Sequence, residues 1–284
     1  MTSRADLAPA AVRAFDALAP AFDERFGPWR SVAAQRRAVR RAVLRVVPPG
    51  ATLLELGGGT GEDALHFAGA GRRVVLTDGA PAMLAQATAK VRRAGYAHAI
   101  EPRLAVLESF DRFAADLARR GTRCDAAFSN FAALNCVADL QPVARGLAHL
   151  LPAGAPALLV LFGPFAPGEV LVELLKGRPR AAFRRLAPGP APARVGGHAF
   201  TVHYPSPGRV ARVFAPWFRR RRLRGIGVFV PPSAAEPWIS AHPRLLAWLE
   251  ALDRGCARPL ACFGDHVLIE FVRTDAPAPA EDTA

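Results

Sequence analysis

The chain has 284 residues, 51% of them hydrophobic, and a formal net charge of +13. That length buries a complete α/β core and leaves room for a cover over a site, so one domain with insertions is expected. The charge points first to nucleic acid or an anionic surface, but Lys90 and Lys176 are the only lysines among 37 basic residues in an alanine- and proline-rich chain, so it reads instead as the codon bias of a GC-rich genome.

Residues 8–25 hold two similar halves, Ala14-Phe15-Asp16 and Ala21-Phe22-Asp23, seven residues apart, which places both aromatics on one helical face. Pro20 interrupts the period and predicts two short helices or one kinked one. Residues 31–47 form an amphipathic helix capped by Ser31, with Val32, Val39, Val43 and Val46 inward and Arg36, Arg37, Arg40, Arg41 and Arg45 toward water. Pro48-Pro49-Gly50 ends it. Strands near 53–56, 73–77, 103–107, 125–129 and 156–162 then alternate with helices, which implies a parallel sheet with right-handed crossovers.

After Phe162 the chain is dense in Pro, Gly and Arg and carries one short helix, Gly168–Lys176. Residues 198–204 alternate and read as an added strand. A helix at 207–214, a strand at 223–230, a helix at 241–253 and a strand at 266–272 follow, the last two strands pairing antiparallel. Residues 274–284 read as a disordered tail. The run Arg219–Arg222 with Arg224 falls at a helix–strand junction, where solvent exposure is favoured over a grip on a substrate phosphate or carboxylate.

The most informative segment is Leu53-Leu-Glu55-Leu-Gly57-Gly58-Gly59-Thr60-Gly61, followed by Asp78 at the end of the next apolar run. Glycines without a Cβ let a ligand approach the backbone N–H groups that open the next helix. An acid at the tip of the second strand can accept both hydroxyls of a ribose. The loop satisfies the loose dinucleotide pattern, but Glu62 and Asp63 begin the helix on which a pyrophosphate would rest, and Glu55 adds a third carboxylate. A phosphate-free cationic nucleoside, S-adenosylmethionine, suits that environment better.

Glu55-x-Gly57-x-Gly59-x-Gly61 resembles the first motif of class I S-adenosylmethionine-dependent methyltransferases, and the likeness extends over residues 50–163, a little under half the chain. Asp78 resembles the family's ribose-binding acid, and Asp78-Gly79-Ala-Pro-Ala-Met83-Leu84 its stretch beside the adenine. Glu108-Ser109 falls where the family places an acid near the adenine amine. Cys124–Asn130 is similar to its fourth strand, and Ser129-Asn130-Phe131-Ala132 to its fourth motif; the prolines used by enzymes that methylate amide or adenine nitrogens are missing there.

The resemblance implies a Rossmann-like, mostly parallel seven-stranded sheet with helices on both faces and an antiparallel last strand. N-terminal helices and an insertion after strand five form the cap. The expected divisions of a single domain at 1–273 are a helical cap at 1–50, a cofactor-binding core at 51–162, a substrate-cap insertion at 163–206 and the rest of the sheet at 207–273. The N-terminal helix is similar to one that folds over the cofactor in quinone-modifying methyltransferases, with Phe where tyrosine is usual.

The implied cofactor is S-adenosylmethionine, held by Glu55, Gly57, Gly58, Gly59, Gly61, Asp78, Gly79, Met83, Glu108, Ser109 and Asn130. Methyl transfer from a sulfonium needs alignment more than a base. If a base takes part, His203 is the candidate, with Phe22, Asn135, His198 and Tyr204 as candidate substrate contacts. The expected acceptor is a small, largely apolar molecule methylated on oxygen or a ring carbon. RNA methylation and a binding protein that keeps the fold without turnover are the alternatives. Cys124, Cys136, Cys256 and Cys262 show no metal spacing, so reduced thiols, no metal and a cytoplasmic protein are expected. The Met1–Asp6 segment lacks an apolar signal core, and no membrane span is expected.

Overall fold

A computed structural model describes residues 8–131 and 133–279. Its central sheet contains β1 (Thr52–Leu56), β2 (Arg73–Asp78), β3 (Ile100–Leu104), β4 (Ala126–Ser129), β5 (Pro156–Phe162), β8 (Phe218–Ile226) and β9 (His266–Arg273). These lie in the order β3-β2-β1-β4-β5-β9-β8. β9 runs antiparallel to both its neighbours while β1 to β5 are mutually parallel, the expected mostly parallel sheet of seven strands.

β1 and β4 are buried along nearly their whole length because the sheet is covered on both faces. One face buries Leu54, Leu56, Phe110, Leu147, Phe214 and Phe271; the other buries Leu53, Phe67, Leu76, Phe128, Leu158 and Leu268. The covering helices include α2 (Arg30–Leu44), α3 (Glu62–Gly69), α4 (Pro81–Arg93), α5 (Phe110–Arg119), α6 (Gln141–Leu150), α9 (Pro207–Phe214) and α10 (Pro243–Cys256). The strand order reverses between β1 and β4, and the carboxyl ends of β1, β2 and β4 open there onto a common crevice, the place where open α/β sheets bind ligands.

α1 (Ala10–Phe26) is one helix with Pro20 inside it. Its Phe15 and Phe22 share a face as predicted and pack with Phe200 and Val195 of a hairpin, β6 (Ala191–Val195) and β7 (His198–Val202). β7 is the added strand expected near 198–204; its partner β6 was hidden among Pro190, Pro192 and Gly189. Two short helices, α7 (Pro167–Leu175) and α8 (Pro179–Ala182), precede the hairpin.

Some boundaries differ from expectation. β3 lies at 100–104 rather than 103–107, because β2 ends with Asp78 opposite Leu104 and leaves nothing further to pair. β8 spans 218–226 rather than 223–230, so Arg219–Arg222 lie within a strand. That strand is the sheet's edge, where charged side chains reach water and discourage further pairing. Ser31 does not cap α2: Trp29 holds that place, and the Ser31 N–H and hydroxyl both donate to Glu236 Oε1, at 2.9 and 2.6 Å. The expected tail begins in contact, since Thr274 N–H donates to the Trp217 carbonyl; residues 280–284, like 1–7 and Ala132 of the fourth-motif segment, lie outside the described residues.

Candidate functional site

Gly57, Gly59 and Gly61 all adopt positive φ, at 63°, 55° and 79°, so the turn leaving β1 is one that side-chain-bearing residues resist. Gly58 is required for space: a Cβ there would lie 2.2 Å from Leu76 Cδ1 and 2.9 Å from Glu55 Cδ. At Gly59 a Cβ would meet nothing within 4 Å, so this part of the loop faces open space.

Asp78 fastens the loop. Its Oδ2 accepts the Gly59 N–H and its Oδ1 the Ala80 N–H, each at 2.8 Å. Burial raises its pKa, and the N–H groups of Ala80, Gly59 and Gly79 oppose the rise. Each oxygen keeps acceptor capacity for a diol.

Glu55 is 2% exposed, lines the same cavity, and its Oε2 is buried without a hydrogen-bond partner among the described residues. Burial, and next the nearby Asp63 charge, hold its pKa well above the ordinary carboxylate range, with Arg36 and Arg40 opposing. An orphaned buried carboxyl oxygen costs free energy that a cationic ligand group would recover.

The structure corrects the charge argument at Asp63. Arg40 Nε donates to one of its oxygens at 2.6 Å, and Arg36 Nη1 and Asn130 Nδ2 donate to the other at 3.0 and 2.9 Å. Arg36 and Arg40 are therefore not a solvated face but a clamp that balances this carboxylate, and Arg36 itself lines the cavity. The carboxyl groups left to meet a ligand are Glu55 and Asp78, with Glu62 half exposed beyond them.

Asn130 Oδ1 also accepts the Phe131 N–H, and Arg36 stacks 4.7 Å over the Phe131 ring. Phe131 has φ 45°, the one positive value for a non-glycine among the described residues. So constrained a backbone beside a cavity persists only because its surroundings impose it.

Gly79, Met83 and Glu108 also line the cavity, and so does Phe22. α1 closes it from above. Asp16 accepts the Ala82 N–H at 2.6 Å, Asp23 accepts the Thr60 hydroxyl at 2.7 Å, and Lys90 bridges to Asp23 at 2.7 Å. Val12, Phe15, Phe22, Leu107 and Val137 provide an apolar wall, together with Cys136, whose thiol burial pushes up to about 12. That thiol stays protonated and is wall, not nucleophile.

Several expected contacts lie elsewhere. Gly61 and Ser109 are not in the lining; Gly61 caps α3 and Ser109 precedes α5. Asn135 is occupied within the fold, its Nδ2 donating to the His203 carbonyl at 2.6 Å and its Oδ1 accepting the Phe162 N–H at 2.9 Å. His203, expected as a base, is held through its backbone to Asn135 and does not line the cavity, nor do His198 and Tyr204. Tyr204 stands beside Phe162, with Arg185 5.6 Å over its ring.

A buried network that sequence reasoning missed backs this region. Arg185 joins Glu169 at 2.5 Å to Asp265 at 2.6 Å, Gln35 donates to Asp265 at 3.2 Å, and His266 stacks on Phe162 at 4.7 Å. Burial lowers the His266 pKa, with the neighbouring Asp265 opposing the shift. Among the described residues no cluster of three His, Cys, Asp or Glu could hold a metal, and no helix is long and apolar enough to cross a membrane.

A glycine turn at a strand-order reversal, a carboxylate at the next strand's tip and an orphaned acid in the cavity wall define a nucleoside-binding α/β protein. Residues 54–157 match the family model described as a methyltransferase domain. No curated protein matches the chain. Among solved structures it is similar to an S-adenosylmethionine-dependent methyltransferase from Mesorhizobium loti, at 21% identity over 84% of this chain and 98% of that one, TM-score 0.50. A putative enzyme of that kind from Listeria monocytogenes matches at 14% over 86% and 98%, TM-score 0.56. The [4+2]-cyclase SpnF matches at 14% over 96% and 98%, TM-score 0.60. These distant likenesses speak for the fold. Residues 54–157, which carry this cradle, are thus matched as a methyltransferase domain, and the cradle suits S-adenosylmethionine as its cofactor.

Proposed function

We propose that the protein transfers a methyl group from S-adenosylmethionine to an oxygen or ring carbon of a small, largely apolar acceptor. The observation that carries this reading is the apolar wall of Val12, Phe15, Phe22, Leu107 and Val137, continuous with the cradle formed by the glycine loop, Glu55 and Asp78. Bound there, the cofactor supplies an electrophilic methyl on a sulfonium. Asp78 would accept the ribose hydroxyls, Glu55 a cationic group, and Gly79, Met83 and Glu108 would border the base. Gly57, Gly58 and Gly59 give the backbone its approach, and Asn130 with Phe131 shapes the acceptor side. α1 excludes water, so alignment in a dry pocket supplies most of the rate.

Because His203 stands outside the lining, His203→Ala is expected to lower kcat by less than about tenfold, against the ~10²–10⁴ that loss of a true general base costs. A larger drop, together with loss of a pH-rate limb near neutrality, restores His203 as the base. The function itself is tested with a panel of quinones, phenols and other apolar metabolites, read by mass spectrometry for one added methyl group. RNA methylated in preference to every small acceptor, or product formed without a mass gain, overturns the proposal.

Glu55 makes cofactor binding proton-linked. A carboxyl whose folded pKa is raised stabilises the free fold fully below the ordinary glutamate range, and that contribution is lost as pH rises through its folded value. A bound cation favours the ionised form, so S-adenosylmethionine should release a proton and bind more tightly as pH rises toward Glu55's value in the free protein. Calorimetry in buffers of differing ionisation enthalpy should show this release, and Glu55→Gln should abolish it. Identical proton release in the variant rules the linkage out.

A further inference from the structure

We propose that the cleft between α2, β8 and α10 is a second binding site, made for a ligand that carries phosphate. It is a cavity of about 310 Å³ on the side of α2 away from the glycine loop, lined by Arg41, Arg45, Arg224 and Arg254. α2 thus divides its arginines: Arg36 and Arg40 clamp Asp63, while Arg41 and Arg45 enter the cleft.

None of those four cleft arginines forms an ion pair among the described residues, and Arg224 Nε is buried without a hydrogen-bond partner. The acids of the cleft are already engaged. Glu250 pairs with Arg37, and Asp253 accepts the N–H groups of Phe229 and Val230, at 2.7 and 3.4 Å. Behind β8, Glu270 lies 3.6 Å from Arg221. Burial depresses the Arg224 pKa, Arg45 and Arg258 push it the same way, and Glu270 only partly opposes them. A half-buried guanidinium surrounded by its own kind is an unfavourable arrangement unless an anion balances it.

The donor set selects the anion. Guanidinium forks match the oxygens of phosphate bidentately. The volume suits a phosphorylated small molecule or one phosphodiester segment rather than a lone ion. Both sources present the same oxygens, and the cavity's volume of about 310 Å³ suits the small molecule.

The test is calorimetric titration of the full chain with pyrophosphate at constant ionic strength, beside a short single-stranded RNA. Saturable binding of pyrophosphate is expected. It should weaken at least tenfold in both Arg224→Gln and Arg45→Gln, while S-adenosylmethionine affinity is unchanged in either variant. Arg224→Lys, which keeps the charge but not the fork, should recover only part of it. The proposal is overturned by absence of saturable heat, by unchanged affinity in both variants, by displacement of pyrophosphate with S-adenosylmethionine, or by RNA binding without pyrophosphate binding. None of these outcomes depends on methyl transfer, so the cleft can fail while the proposed function stands.

Discussion

Asp78→Ala is expected to weaken S-adenosylmethionine binding by about a hundredfold or more without unfolding the protein. Two hydrogen bonds from a ribose diol to an ionised carboxylate are worth about 1.5–3 kcal/mol each, and the sum spans roughly two to four orders of magnitude in affinity. The substitution also releases the Gly59 and Ala80 N–H groups, which now end on Asp78 Oδ2 and Oδ1. Loosening Gly59 raises the entropy lost when the loop closes on a ligand, so the effect should exceed that of the diol alone. Asp78→Asn keeps one oxygen for one N–H and should fall between the two. Calorimetry with S-adenosylmethionine and S-adenosylhomocysteine reads the effect, since both carry the ribose. An affinity within threefold of the parent chain, at unchanged melting temperature, would remove Asp78 from the nucleoside site.

What could be read from the chain and what could not divides along distance in sequence. The run 53–61 and Asp78 announce themselves because a buried parallel strand, a glycine turn and a strand-tip acid are each local patterns. Helix 207–214 and strand 156–162 were legible to the residue, being bounded by Ser206-Pro207 and Ala153-Gly154. β8 was misplaced because four consecutive arginines do not resemble a strand until its position at the sheet's edge is known. Registers such as Asp78 opposite Leu104 belong to the sheet and not to either segment.

The electrostatics of the site were the least legible part. Arg36 and Asp63 are 27 residues apart and Arg185 and Asp265 are 80 apart, so no window on the sequence couples them. Five arginines on one helix looked like a uniform solvated stripe, yet α2 sends Arg36 and Arg40 to a buried acid. Counting Glu62 and Asp63 as free negative charge therefore overstated the site's hostility to phosphate. The preference for a cation rests on Glu55, which lines the cavity with one buried oxygen left unpartnered, a property that the identity of a residue at position 55 does not by itself reveal.

Asp63→Ala should be the most destabilising single change near the cradle. It leaves Arg36 and Arg40 facing each other without their shared counter-ion and strips Asn130 Nδ2 of its acceptor. Removing one partner of a buried ion pair costs about 3–5 kcal/mol, which for a chain of this size lowers the melting temperature by roughly 5–8 °C. Asp63→Asn, which retains an acceptor, should cost less. A compensated double variant, Asp63→Ala with Arg40→Met, should recover part of the loss, because the penalty arises from the unpaired charge as much as from the missing bonds. The change should also reach the reaction, since Asn130 and Arg36 both contact Phe131, whose backbone has a positive φ. Once Asp63 no longer orients them, that backbone is free to relax into an ordinary conformation, and the acceptor KM should rise more than the cofactor's. Equal melting temperatures for parent and Asp63→Ala would mean that the two arginines are held by solvent instead, and the Phe131 conformation would then need another cause.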